Sequence, residues 1–273
     1  MKKKKFETPE LTMEELSAEL VVTNLRLKNA NLKLKKAERA RNEMFSNISH
    51  DLRSPMTAIK NAIELLNSME ELTKENAAPY LQMMTQRIDV MEQLINDIFL
   101  LVSLENDCVQ LNATPVSIGF FLEDFFFSRE VDGNYQSRNL ELLVPVDLDA
   151  TVYVDTANLT RVLDNLFTNA LKYSKNGATI SLDAKIADQE VIVSVSDTGI
   201  GIPEDCIEQI FERSFIVEKA RTPGVSSTGL GLSICQAIIE HFSGRIWCES
   251  TYGKGSCFSF SLPLYEPEKN INE

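Results

Sequence analysis

The sequence predicts a helical N-terminal part followed by an α/β sandwich, in which helices cover one side of a mixed sheet. Apolar residues recur every three or four positions from Leu16 to Val102, which is the period of an α-helix. After residue 112 the pattern changes to short strand-like runs that alternate with helical segments. Eight of the 11 glycines follow residue 198, so the backbone there makes tight turns or approaches a ligand closely.

Residues 11–44 are predicted to form one long helix with a coiled-coil seam. Leucines recur along it every seven residues, at Leu20, Leu27 and Leu34. Polar residues at Thr23 and Arg41 weaken this seam. Because no neighbouring segment would cover the stripe, we expect the helix to pair with a second copy of the chain.

Residues 45–108 are predicted to form an antiparallel helical hairpin. Apolar residues recur at helical spacing from Phe45 to Leu66 and again from Leu81 to Val102, with a polar break over residues 68–79. Pro55 removes a backbone donor, so we expect it to bend or loosen the first helix. One hairpin cannot bury both of its apolar stripes, whereas two hairpins in a dimer form a four-helix bundle that can.

Residues 112–265 are predicted to form the α/β sandwich. Strands are expected at residues 140–144, 151–154, 179–184, 191–195, 245–249 and 257–262. Helices are expected at residues 118–128, 157–173, 206–211 and 230–242. Residues 1–10 and 266–273 are polar tails.

Composition excludes several classes of function. The formal net charge of −13 argues against a nucleic-acid partner, because neutralising phosphates needs a basic surface. The five cysteines show no C-x-x-C spacing and are expected to be reduced thiols of a cytoplasmic protein. No apolar run has the length of a membrane span, so we expect a membrane connection only through a sensor region outside these residues.

His50 is the first candidate for chemistry. It is one of two histidines, and it lies off the apolar stripe of its helix, where the imidazole can reach water. A neutral imidazole has a lone pair that can act as a nucleophile. Asp51 could hold one ring nitrogen as N–H and leave the other free to attack. The alternative is a surface histidine on an amphipathic helix.

A second group of polar residues lies on one face of a predicted helix. Asn165, Asn169 and Lys172 are spaced i, i+4 and i+7. Carboxamide oxygens are suitable ligands for Mg²⁺, and a nearby lysine suits a phosphate. The alternative is a solvated face with no ligand.

Two glycine-containing segments complete the candidate site. Asp197 follows a predicted strand, where a carboxylate can accept a hydrogen bond from an amino group such as that of adenine, and Gly199 and Gly201 let the backbone approach a flat ring. Gly229 and Gly231 open a predicted helix whose first amides suit a phosphate, and the polar segment before them could fold over a nucleotide as a lid. The alternative for the first segment is an ordinary turn.

Over nearly all of residues 45–264 the chain resembles the sensor histidine kinases of two-component signalling. The similar segments are the H box at residues 50–55, the N box at 165–173, the G1 box at 197–201, the F box at Phe211 and the G2 box at 229–232. Residues 253–258 also resemble the closing strand of the family. The match is specific because five boxes occur in the family's order.

The resemblance implies a homodimer with a phosphotransfer hairpin followed by a Bergerat-type ATP-binding domain. It implies that ATP, with Mg²⁺, phosphorylates His50, and that the group then passes to an aspartate on the receiver domain of a response regulator. The implied roles are phosphoacceptor for His50, orienting base for Asp51, Mg²⁺ ligand for Asn169 with support from Asn165, phosphate contact for Lys172, adenine neighbour for Tyr173 and adenine-amine acceptor for Asp197. The other implied nucleotide-binding residues are Gly199, Gly201, Thr228, Gly229, Leu230 and Gly231.

Two positions depart from the family pattern, and two other functions are compatible with parts of the sequence. Ser54 stands where the family usually has Thr or Asn for hydrolysis of the phosphorylated regulator, which leaves phosphatase activity open. Ser214 separates Arg213 from Phe215, where the family usually has an aromatic residue directly after the arginine, so we expect the lid to pack differently from that of relatives. The alternatives are an ATPase of the same nucleotide fold that drives a clamp, and a non-catalytic dimeric scaffold. The hairpin with His50 argues against the first, and the intact nucleotide boxes argue against the second.

Overall fold

The computed structural model describes residues 13–69, 73–105, 111–213, 215 and 229–265. The chain divides into two compact units between Ser49 and His50. The predicted tails, most of the predicted lid and Cys108 lie outside the described residues.

Two long helices form the N-terminal part, α1 (Met13–Ser68) and α2 (Lys74–Glu105). Leu20, Leu27 and Leu34 of the predicted seam are exposed in the single chain, Leu20 by 65%. Helix α1 continues through Pro55, and this proline is buried. The predicted bend at Pro55 stays a prediction.

Helix α2 begins seven residues before the apolar pattern that predicted it. Thr73 and Asn76 form a reciprocal cap, because the Asn76 N–H donates to Thr73 Oγ1 (3.3 Å) and the Thr73 N–H donates to Asn76 Oδ1 (2.9 Å). Pro79 lies in the second turn of this helix. The polar residues 74–79, expected to be part of the break, are therefore the first turns of α2.

The α/β part has seven strands and three helices within the described residues. The strands are β1 (Thr114–Ser117), β2 (Asn139–Leu142), β3 (Thr151–Val154), β4 (Thr179–Ala187), β5 (Glu190–Asp197), β6 (Arg245–Thr251) and β7 (Gly255–Pro263). The helices are α3 (Ile118–Glu130), α4 (Thr156–Tyr173) and α5 (Gly231–His241). Short 3₁₀ helices occur at Gly133–Tyr135 and Glu204–Cys206.

Five strands form the main sheet in the order β2-β4-β5-β7-β6. Strand β2 is parallel to β4 and the other neighbours are antiparallel, so the sheet is mixed, as predicted. The side chains of Leu166 and Phe167 from α4, Ile234 from α5, and Val193 and Phe260 from the sheet are fully buried. Burial of large apolar side chains from both layers is what holds helices and sheet together. The predicted fold class is confirmed.

Strand β1 was not predicted. It pairs only with β3, antiparallel, in a separate two-stranded sheet. Pro115 lies within it, and a proline is tolerated at a sheet edge because an edge strand has donors that need no partner in the sheet. The same proline removes the usual strand signal from the sequence.

The prediction of an α-helix at residues 206–211 is wrong. The chain forms the 3₁₀ helix Glu204–Cys206 and then turns, with the Cys206 N–H donating to Pro203 O (2.9 Å) and the Gln209 N–H to Cys206 O (2.9 Å). Both bonds join residues three apart. A segment this short gains too few bonds to offset the cost of starting an α-helix.

Candidate active site

Helix α4 separates an apolar face from a polar face. Its first turn is capped by Asp155, whose Oδ1 accepts a hydrogen bond from the Asn158 N–H (3.1 Å). The apolar face is buried and consists of Leu159, Val162, Leu163, Leu166, Phe167 and Ala170. Asn165, Asn169 and Lys172 are half-buried. The predicted polar face is therefore present and lies beside the core.

The last turn of α4 is joined to the loop that follows β5. The Ile200 N–H donates a hydrogen bond to the Tyr173 carbonyl oxygen (3.0 Å). The ammonium of Lys172 lies over the Tyr173 ring, 5.0 Å from its centroid, in a cation–π contact. Residues of the N box and the G1 box thus contact each other directly.

Asp197 ends β5 with its carboxylate turned back onto its own loop. Its Oδ1 accepts a hydrogen bond from the Gly199 N–H (2.7 Å). Burial raises the pKa of Asp197 above its usual value, and hydrogen bonds from the Gly199 and Ser256 amides act in the opposite direction. A carboxylate has more acceptor sites than these bonds use, so it can still receive an amino group.

Glycine is required at two positions of this loop. A Cβ at Gly199 would collide with the Tyr173 carbonyl oxygen and with Asp197 Oδ1. Gly201 has φ +67°, and a Cβ there would collide with the Thr251 carbonyl oxygen. Gly199 therefore allows the loop to close against the end of α4, and Gly201 allows it to close against the end of β6.

The start of α5 lies against the polar face of α4. A Cβ on Gly231 would stand 3.1 Å from Asn165 Oδ1. Leu230 occupies the N-cap position and has no polar side chain with which to cap the first amides of α5. The start of a helix carries the positive end of the helix dipole, which is suited to a phosphate.

Asn165 also interacts with a buried thiol on α5. Burial raises the pKa of Cys235 to about 12, and a side-chain hydrogen bond with Asn165 acts in the opposite direction. The Cys235 thiol donates to the Val162 carbonyl oxygen (3.8 Å). Asn165 is thus held between Gly231 and Cys235.

His50 presents its ring to solvent, as predicted. Its side chain is 79% exposed, and its Nδ1 lies 3.3 Å from Oδ1 of Asp51, whose side chain is 19% exposed. With Nδ1 engaged by the carboxylate, Nε2 is the ring nitrogen that remains for chemistry. Ser54, one turn later, is exposed.

The structure brings most of the predicted nucleotide residues together. Direct contacts join Asn165 to Gly231, Tyr173 to the G1 loop and Asp197 to Gly199. His50 and Asp51 lie on another element, α1. Thr228, Ser214 and most of the predicted lid lie outside the described residues.

Two arginine interactions were not predicted. Arg161 of α4 forms an ion pair with Asp97 of α2, and burial lowers the pKa of Arg161. Arg138 binds the end of α4. The partners are separated by 64 residues in the first case and by 33 and 36 in the second, so no local spacing could reveal them.

The donor set fits a bound nucleotide with Mg²⁺. The described residues contain no group of three or more His, Cys, Asp or Glu that could hold a metal ion. The carboxamide oxygens of Asn165 and Asn169 are hard ligands, and Mg²⁺ commonly binds through few protein groups plus substrate phosphates.

In the described part of the chain, no helix is long and apolar enough to cross a membrane.

Two protein families match this chain. Residues 40–107 match the family described as the His Kinase A (phospho-acceptor) domain. Residues 154–266 match the family described as histidine kinase-, DNA gyrase B-, and HSP90-like ATPase. The first match covers the helical hairpin, and the second covers most of the α/β part.

Similar relatives and structures agree with these matches. The sensor histidine kinase WalK of Bacillus subtilis (strain 168) is 34% identical over 241 residues, which cover 86% of this chain and 38% of WalK. This chain therefore spans less than half of that relative. The histidine kinase ThkA in complex with response regulator protein TrrA is 25% identical with a TM-score of 0.63, covering 84% of this chain and 63% of that chain. Full-length ShkA in complex with AMPPNP is 25% identical with a TM-score of 0.60, covering 82% and 46%.

Proposed function

Because this chain belongs to the sensor histidine kinases of two-component signalling, we propose that it is an ATP-dependent protein-histidine kinase whose phosphoacceptor is His50. The observation that carries the proposal is the exposed imidazole of His50 with the Asp51 carboxylate 3.3 Å from Nδ1. A phosphoacceptor must be reached by a nucleotide and later by a second protein, and an exposed side chain allows both.

The proposed first transfer needs no other covalent chemistry from the protein. In the tautomer with hydrogen on Nδ1, the lone pair of Nε2 attacks the γ-phosphorus of ATP. The new N–P bond forms as the P–O bond to ADP breaks, and ADP leaves. Asp51 keeps the ring in this tautomer and stabilises the positive charge that develops on it.

The proposed nucleotide contacts are those that the family resemblance implies, and the contacts among α4, the loop after β5 and the start of α5 support them. Asp197 accepts the adenine amine, with Tyr173, Gly199 and Gly201 beside the ring. Lys172 and the segment that leads into α5, at Gly229, Leu230 and Gly231, contact the phosphates. Thr228, which lies outside the described residues, is proposed with them from the resemblance alone. Asn169, supported by Asn165, holds Mg²⁺. When bound, Mg²⁺ neutralises part of the triphosphate charge, which favours attack by the imidazole.

We propose an aspartate on a response regulator receiver domain as the second acceptor. The carboxylate oxygen would attack phosphorus, the N–P bond would break, and neutral His50 would return. The complex of the similar histidine kinase ThkA with response regulator protein TrrA supports this partner. The hydroxyl of Ser54, exposed one turn after His50, is the group proposed to orient water for hydrolysis of the phosphorylated regulator.

We propose that the chain acts as a homodimer. An apolar groove runs between α1 and α2, here called the hairpin groove, and is lined by Met56, Ile59, Lys60, Ile63, Glu64, Ile88, Met91, Glu92 and Ile95. A second hairpin would cover it and complete a four-helix bundle. The location proposed is cytoplasmic, where ATP is available, with any membrane connection made through a sensor region outside these residues.

The test is phosphorylation with ATP labelled on the γ-phosphate. We expect an acid-labile label on the wild-type protein and none on His50→Ala. His241→Ala is the matched control, because His241 is the other histidine and is also exposed, and it should keep the label.

Two outcomes would contradict the proposal. A label that persists in His50→Ala would exclude His50 as the acceptor. Steady ATP turnover without any phosphorylated protein would favour the clamp-type ATPase, whose nucleotide fold is covered by the same family match.

A further inference from the structure

The guanidinium of Arg138 closes the C-terminal end of α4. Its Nη2 donates hydrogen bonds to the carbonyl oxygens of Leu171 (3.1 Å) and Ser174 (2.8 Å). Its Nε donates to the Ser174 hydroxyl (2.9 Å). Ser174 is the C-cap residue of α4 and is buried.

This arrangement supplies what the end of a helix lacks. The last carbonyl groups of a helix have no partner within the helix, and their partial negative charge favours a nearby cation. Ser174 leaves α4 with extended dihedrals (φ −112°, ψ 155°), so no glycine in the left-handed conformation closes this end. Arg138 closes this end of the helix instead, by donating hydrogen bonds to the last carbonyl oxygens. A lysine could not reproduce the planar fork of donors.

Arg138 also fixes the chain that follows α4. Its Nη1 donates to Asn176 Oδ1 (2.8 Å) and to the Ser137 hydroxyl (2.7 Å). The Gly177 N–H donates to the Ser137 carbonyl oxygen (2.8 Å). Residues 171–177 are therefore tied to the segment that enters β2.

The residues between these hydrogen bonds are Lys172 and Tyr173. Tyr173 is also held from the opposite direction, since its carbonyl oxygen accepts from the Ile200 N–H (3.0 Å). We propose that Arg138 is a positioning residue of the nucleotide site, which holds the last turn of α4 so that Lys172 meets the phosphates and Tyr173 the adenine. This inference rests on the proposed nucleotide-binding role of that turn, and Arg138 itself acts only through it.

The test measures the dissociation constant for a non-hydrolysable ATP analogue with Mg²⁺, well below the melting temperature of each variant. We expect Arg138→Gln to weaken binding about tenfold, because charge-assisted hydrogen bonds at a buried partner are lost. Arg138→Lys should fall between the wild type and Arg138→Gln. Ser174→Ala removes one acceptor and should weaken binding about threefold, which keeps the inference testable if Arg138→Gln does not fold.

A double-mutant cycle with Lys172→Met separates positioning from general stability. If Arg138 acts through the last turn of α4, Arg138→Gln should cost much less affinity in the Lys172→Met background than in the wild type. Arg245→Gln is the matched control, because Arg245 is an exposed arginine of the same α/β part that pairs with Glu190 on the sheet. It should leave affinity unchanged in both backgrounds.

Failure of the positioning role and failure of the proposed nucleotide site would give different results. Normal affinity in a folded Arg138→Gln, or an equal loss in both backgrounds, would overturn the positioning role. Normal affinity in Lys172→Met would instead contradict the proposed nucleotide site.

Discussion

At the scale of single residues, the proposed nucleotide site includes a carboxylate whose partial burial is costly. Asp197 is half-buried with only part of the hydrogen-bonding capacity of its carboxylate used, and this burial raises its pKa. Such a group is kept for binding rather than for stability. Two substitutions separate these contributions.

The first is Asp197→Asn, which removes the buried charge and replaces an acceptor by a donor. The folded state has the higher pKa, so wild-type stability falls as pH rises from the unfolded pKa to the raised folded pKa. The cost of the buried charge is fully present above that window. At neutral pH we therefore expect Asp197→Asn to melt no lower than the wild type, yet to lose adenine nucleotide binding.

Thermal unfolding between pH 4 and pH 8, together with calorimetric titration of nucleotide, checks this prediction. The wild type should lose stability across the titration window, while Asp197→Asn should lack that contribution. A variant that melts well below the wild type at neutral pH and still binds nucleotide would contradict it.

The second substitution is Gly199→Ala. Its Cβ would collide with backbone and side-chain oxygens, so the loop must move, at a cost of about 1–3 kcal/mol. We expect lower unfolding free energy and weaker nucleotide binding. Gly133→Ala is the control, because the nearest atom to its Cβ would be Gln136 Nε2 at 4.0 Å. Denaturant unfolding measures the free energy of unfolding of both variants. Equal losses in the two variants would show that the collision at Gly199 does not determine the loss of stability.

Local spacing predicted some residues of the site and could not predict others. Asn165, Asn169 and Lys172 share a helix face, so their spacing alone placed them together. The roles of Arg138 and Arg161 depend on partners that folding brings from distant segments. No sequence period encodes such pairs, and a single sequence therefore leaves them out.

At the scale of elements, helix ends were the least predictable feature. The apolar pattern of α2 begins at Leu81, but the Thr73 and Asn76 cap starts the helix earlier. Strand β1 and the 3₁₀ segment at Glu204–Cys206 were missed or mistaken because each is short and adjoins or contains a proline. The long amphipathic elements were predictable because many residues repeat one signal.

The cap of α2 gives a prediction at this scale. Thr73→Ala removes the hydroxyl that accepts from the Asn76 N–H and should lower the unfolding free energy by about 1 kcal/mol. Thr85→Ala is the control, because Thr85 is an exposed threonine of the same helix whose hydroxyl donates to the Leu81 carbonyl oxygen. It should change stability by less than about 0.5 kcal/mol. Chemical denaturation measures both, and equal losses would refute the capping role.

At the scale of the whole molecule, the hairpin groove allows the proposed dimer to be tested by substitution. Ile88 lines the groove and is 53% exposed in the single chain. We expect Ile88→Glu to shift the protein from dimer to monomer in sedimentation velocity, because a dimer would bury the new charge. Nucleotide binding should persist, since the α/β part is unchanged.

Ile186→Glu is the control for this experiment. Ile186 has a similar exposure, 47%, but lies at the end of β4, away from the groove. It should remain dimeric. A wild type that sediments as a monomer would rule out the groove as the interface. An Ile88→Glu variant that dissociates no more readily than the wild type would do the same, because the pairing expected of residues 11–44 alone should give a weaker dimer.

The buried thiol behind Asn165 has a consequence for how the protein withstands oxidants. With its pKa raised to about 12, Cys235 stays protonated in any living cell, and only the thiolate reacts readily with peroxides and alkylating agents. Cys206 and Cys257 are half-buried, so among the described cysteines these two meet such reagents first. The residues behind the proposed nucleotide site should thus remain chemically intact while more accessible sulfur is consumed.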